Sequence, residues 1–107
     1  PSKLEIFVLP LPYFVATKFE AFRGRGKGDY RSSHDIEDIV TVLDGSRDAE
    51  KILEGISEEL ASYLRDAFSQ FSKASQFEES LNAHLGPGSE QRIKRLVSML
   101  QSIAAGN

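Results

Sequence analysis

Apolar residues recur at helical spacing along most of this chain, and only its first residues depart from that rhythm. Leu4 to Leu9, reading LEIFVL, is a short β-prone run ended by Pro10 and Pro12, and it predicts one strand. Nothing later predicts a partner strand, so its open edge would have to be paired or covered. Pro12 suits the first turn of a helix. That helix is expected to run from Pro12 to about Phe22 or Arg23, with Leu11, Val15, Phe19 and Phe22 on one face and Phe14 and Ala21 beside it. The next helix opens at Ser32, with Asp35 at its third position in a near capping box. Ile36, Ile39, Val40 and Leu43 form its buried face, and Asp44-Gly45 stops it.

The remainder reads as helix after helix. Ser46 is expected to cap a short one with Ala49, Ile52, Leu53 and Ile56 inward. Ser57 caps a longer one with Leu60, Ala61, Leu64, Ala67, Phe68 and Phe71 inward. Ser75 and Glu78 form a capping box ahead of Phe77, Leu81 and Leu85. Gly86-Pro87-Gly88 is a break. Ser89 opens a last helix with Ile93, Leu96, Val97, Leu100 and Ile103 inward and Arg92, Lys94 and Arg95 on its outer side. The fold class is therefore mainly α: one N-terminal strand followed by a bundle of about five helices.

Composition narrows the chemistry. Hydrophobic residues make up 40% and charged residues 27% of the 107 positions, a balance that excludes a disordered chain and suits one modest core. Cysteine is absent, so disulfides, thiolate metal sites and thiol nucleophiles are excluded. The longest apolar runs are too short for a membrane span. The opening PSKLEIFVLPLP lacks the layout of a signal peptide, so the default expectation is a cytoplasmic protein. A first residue that is Pro rather than Met allows either a removed initiator or a start inside a longer protein.

The net charge of −3 hides an asymmetry. Five bases face two acids from Tyr13 to Arg31, whereas nine acids face two bases from Ser32 to Glu59. A basic stretch beside an acidic one suits a phosphate-and-metal site, and it equally suits mixed solvated surface. The chemistry concentrates between them. Lys18 lies in the apolar stripe of the first helix, flanked at helical spacing by Phe14, Val15, Ala21 and Phe22. Its ammonium must either reach water along the apolar stem or meet an anion such as a phosphate. The stretch Arg23-Gly24-Arg25-Gly26-Lys27-Gly28-Asp29 alternates charge with glycine. It can be a phosphate cradle or a solvated connector. It is no P-loop, because the Gly-x4-Gly-Lys-Ser/Thr order is missing. His34 and Asp38, four apart, share a helix face, as do Asp35 and Asp38, three apart. The helix dipole alone accounts for Asp35 in a first turn. A His-x3-Asp spacing without further ligands is a weak metal signal, and no metal ligands are assigned. Tyr63 and His84 read as boundary residues.

The stretch PYFVATKFEAFRGRGKGDYRSSHDIEDIVTVLDGS resembles a characteristic region of the minimal nucleotidyltransferase family that includes the AbiEii-type toxins of bacterial abortive-infection (toxin–antitoxin) systems. The family's lysine-bearing helix is matched by ATKFEAF, its glycine-rich turn follows, and its Asp-x-x-Asp element is matched by Asp35-Ile36-Glu37-Asp38. The resemblance covers roughly residues 4–46, and residues 47–107 form a helical remainder of the same domain or domain fragment.

The resemblance implies the C-terminal part of a polymerase-β-like fold, α+β when complete. It implies an enzyme that moves a nucleotide from an NTP to an acceptor hydroxyl with Mg²⁺. Lys18 would hold the triphosphate, Asp35 and Asp38 would be the catalytic acidic pair that orients or deprotonates the acceptor, and His34 would be auxiliary. Arg23, Arg25 and Lys27 would add phosphate contacts. The family's Gly-Ser…Asp-x-Asp metal motif is missing, so this chain alone is expected to be inactive and to be a piece of a longer protein. The alternative is a complete, non-catalytic small helical interaction module whose charged loop binds a protein or an anionic partner, with the exposed strand favouring self-association. One basic face on an acidic chain is a small footprint for nucleic acid, which enters only as an acceptor, and no membrane partner is expected.

Overall fold

The computed structural model of the chain describes residues 10–25, 29–46 and 49–106. It is mainly helical: α1 (Leu11–Arg25), α2 (His34–Gly45), a 3₁₀ turn (Ala49–Lys51), α3 (Glu58–Lys73), α4 (Phe77–Leu85) and α5 (Glu90–Ala104). No strand occurs among the described residues, and the expected strand from Leu4 to Leu9 lies outside them. No helix among the described residues is long and apolar enough to cross a membrane.

Each helix end has a local cause. The Pro10 carbonyl accepts the N–H groups of Tyr13 and Phe14, both at 3.0 Å, and so starts α1. Pro12 sits in the first turn, where its missing N–H has no helical partner to lose. Two boundaries near here differ from expectation. Arg23 to Arg25 belong to the last turn of α1, not to a loop. The cap of α2 is Ser33, not Ser32: the Ser33 hydroxyl accepts from Asp35 N at 3.1 Å and Ile36 N at 3.2 Å. Ser32 is drawn backwards instead, its N–H donating to Asp29 Oδ1 at 3.2 Å in an Asx-type turn.

Ser46 ends α2 rather than starting a helix, its N–H donating to Leu43 O, and the expected short helix is only a 3₁₀ turn. Ser57 caps α3 as expected, accepting from Leu60 N at 3.2 Å. The expected capping box at Ser75 does not form. Gln76 occupies the cap position of α4 without a side-chain capping bond, and its Oε1 accepts the distant Tyr30 N–H at 3.2 Å. Gly86 and Gly88, at φ +82° and +80°, reverse the chain between α4 and α5 in a region that side chains disfavour. Ser89 caps α5 only by position, since its hydroxyl donates back to Leu85 O at 3.1 Å.

The faces expected to turn inward do so. Val15, Phe19 and Phe22 of α1 meet Ile36, Ile39, Val40 and Leu43 of α2 and Leu64, Phe68 and Phe71 of α3 in one core. Leu81 of α4 and Leu96, Leu100 and Ile103 of α5 complete it. The most extensive helix pairings are α3 with α5 and α1 with α2. An aromatic chain runs through the core's end. Tyr30 stacks on Phe71 at 4.9 Å between ring centres and leans on Phe22 at 4.6 Å, while Phe71 meets Phe77 edge-on at 5.0 Å.

Candidate functional site: the α1–α2 ion pair

The packing of α1 on α2 brings two of the sequence-selected residues together. Lys18 Nζ lies 2.7 Å from Asp38 Oδ2, with the two side chains 27% and 47% exposed. The ammonium also stands 5.6 Å from the centre of the Phe14 ring, at the outer range of a cation–π contact. The lysine on the apolar stripe therefore meets an anion, and that anion is the protein's own. Val15 and Phe22, one helical turn to either side, are sealed in the core, so the stem is packed while the charge sits at the rim.

The other candidates separate from this point. Asp35 is buried at 4% exposure, whereas Asp38 stands one turn on and half-exposed. His34 is 94% exposed and lies 3.2 Å from Glu37 Oε1 on its own helix. Arg23 faces α3: its guanidinium lies 4.9 Å from the centre of the Tyr63 ring and 3.8 Å from Glu20 Oε2. Lys27 and the Arg25 side chain fall outside what is described.

Three groups whose contacts sequence reasoning did not foresee shape the surroundings. The first is Tyr30, which pins the far end of the glycine-rich stretch. Its ring is stacked in the core, its N–H is held by Gln76, and its carbonyl lies 3.0 Å from His84 Nε2. Burial raises its phenol above the ordinary range, with Arg23 opposing. An aromatic set between two runs of charge was the available signal. The second is the trio Glu20, Arg23 and Tyr63. Tyr63 donates its hydroxyl to Glu20 Oε2 at 2.6 Å, and burial, aided by that bond, pushes its phenol up to about 12. The third is Asp44, which binds two arginines expected on an outer face. Arg92 grips it through Nε and Nη2, and Arg95 Nη2 donates to its carbonyl at 2.8 Å. Their hydrogen bonds hold the Asp44 carboxyl below the usual range. This clamp also neutralises a negative charge at the unfavourable C-terminal end of α2.

Among the described residues no three His, Cys, Asp or Glu side chains converge as a metal site would require. Asp38, the exposed acid of the pair, is bound to a lysine. The described residues therefore do not fit a Mg²⁺ site by themselves. What the arrangement offers is one partly exposed ammonium, positioned by an apolar helix and neutralised by a displaceable carboxylate.

No protein-family model, no curated protein and no solved structure matches the chain.

Proposed function

We propose that this chain supplies the lysine-bearing helical part of a polymerase-β-like nucleotidyltransferase, with Lys18 as its triphosphate-binding point charge and Asp38 as the acid that orients the acceptor hydroxyl. One observation carries the reading. The lysine and the second acid of the resemblance's motif, on different helices, meet at 2.7 Å at the rim of the core. An ammonium held there is accessible to a phosphate oxygen, and Asp38 is accessible to a hydroxyl. Asp35, buried in the first turn of α2, is assigned to shaping that turn. The Gly-Ser…Asp-x-Asp element is not in the 107 residues, so the reading gives this chain no metal ligand, and no step through Mg²⁺ is derived from it.

The test is nucleotide transfer by the gene product as its source makes it, with each α-labelled NTP and Mg²⁺. The reading expects incorporation that falls at least about a hundredfold in Lys18→Ala, the scale for losing one charge-stabilising group. Lys73→Ala, on the far end of α3, should leave it unchanged. No transfer by the wild-type product, or full transfer by Lys18→Ala, would contradict it.

A second reading, a non-catalytic interaction module, is favoured by a different observation. Tyr13 is the one large apolar side chain exposed among the described residues, at 50%. It borders an open groove of about 370 Å³ formed with Ala16, Leu60 and Tyr63. Under that reading a protein surface docks there, and Tyr13→Ala weakens the association seen by sedimentation. An unchanged sedimentation profile would remove it.

A further inference from the structure

The ion pair that marks the site also obstructs it. Asp38 Oδ2, 2.7 Å from the Lys18 ammonium, puts a negative charge where an incoming anion would approach. The Lys18 side chain is 27% exposed, and its ammonium also stands 5.6 Å from the centre of the Phe14 ring. Asp38 is the more exposed partner and can turn to water at little cost. Glu37 beside it lies against His34 and Asp35 is buried, whereas Asp38 is the carboxylate in contact with this lysine.

We propose that Asp38 is a built-in stand-in for phosphate, which a polyphosphate must displace from Lys18 in order to bind. The inference rests on the nucleotidyltransferase reading and adds a regulatory consequence to it. The free protein keeps its phosphate-binding charge neutralised, so every anion binds Lys18 more weakly by the strength of the pair, a loss that a polyanion of several charges outweighs. Displacement also releases Asp38 from its lysine only when the polyphosphate is in place.

The experiment is a calorimetric titration of the full chain with inorganic tripolyphosphate at fixed, low salt. The variants are Asp38→Asn, Asp38→Ser, Glu37→Gln, Lys18→Gln and the double change of Lys18→Gln with Asp38→Asn. Circular dichroism first checks that each melts as the wild type does. The inference expects Asp38→Asn and Asp38→Ser each to tighten binding about two- to fivefold, the range spanned by partly exposed ion pairs. Glu37→Gln removes the same charge from the same helix without touching Lys18, and it should tighten binding clearly less. In the Lys18→Gln background the effect of Asp38→Asn should vanish, because the coupling belongs to the pair. If Lys18→Gln loses binding while Asp38→Asn does no more than Glu37→Gln, the stand-in role is overturned and the phosphate role of Lys18 stands. If neither the wild type nor Asp38→Asn binds tripolyphosphate, the functional reading fails, and the inference fails with it.

Discussion

Replacing Lys18 by Met separates a lysine kept for folding from one kept for binding. Two effects oppose each other. The change deletes an ion pair whose members are 27% and 47% exposed, and such a pair contributes about 0.2–1 kcal/mol. It also leaves Asp38 alone, but a half-exposed carboxylate is readily hydrated. Against this, the methionine keeps the packed stem and places an apolar end near Phe14. The gain is about one methylene group out of water, roughly 0.8 kcal/mol. The sum is close to zero, so stability should stay within about 0.5 kcal/mol of wild type. Urea unfolding followed by circular dichroism measures this. With a slope of about 1–2 kcal/mol per molar urea, the midpoint should move by less than about 0.5 M. Tripolyphosphate binding should be lost at the same time. A destabilisation above about 1.5 kcal/mol would refute the reasoning, because it would make Lys18 a structural residue whose charge the fold itself requires.

Other expectations concern the frame of the site. Phe71→Ala should cost about 3–5 kcal/mol, since Phe71 is fully buried between Tyr30 and Phe77, and hydrogen exchange at the Tyr30 amide should rise with it. The depressed Asp44 carboxyl contributes stability that is present above its unfolded-state value near 4 and is lost as pH falls through its lower folded-state value. Acid unfolding of Asp44→Asn should therefore show a smaller loss over that window than the wild type. Tyr63, raised to about 12, works in the opposite sense: its contribution is present below pH of about 10 and is lost as pH rises towards 12, so phenolate absorbance should include a late phase that Tyr63→Phe diminishes, Tyr30 also being raised.

Helical periodicity was legible wherever one helix buries a continuous stripe. Ile36, Ile39, Val40 and Leu43 in α2, and Leu64, Phe68 and Phe71 in α3, lie where their spacing puts them. Ser57 was readable as a cap because nothing competes for its hydroxyl. Boundaries failed where a distant partner intervened. Gln76 is diverted to Tyr30, 46 residues away, and the box at Ser75 and Glu78 does not close. α1 runs on to Arg25, into a stretch whose glycines predicted a loop, and Arg23 there leans on Tyr63 and Glu20.

The same distinction governs the site. Lys18 and Asp38 each stood out, the lysine by its apolar neighbours and the acid by its motif. That they bind each other depends on how α1 crosses α2, which neither helix encodes alone. The grip of Arg92 and Arg95 on Asp44 spans 48 and 51 residues, and no local pattern announces it. The basic face expected on α5 is thereby partly neutralised within the fold.

The most direct test of the central claim is a titration of the ¹⁵N-labelled chain with tripolyphosphate, read as amide shifts. The account predicts changes centred on α1 around Lys18 and on the first two turns of α2 around Asp38, abolished in Lys18→Gln. Changes centred instead on Arg92 and Arg95, or none at all at millimolar tripolyphosphate, would contradict it.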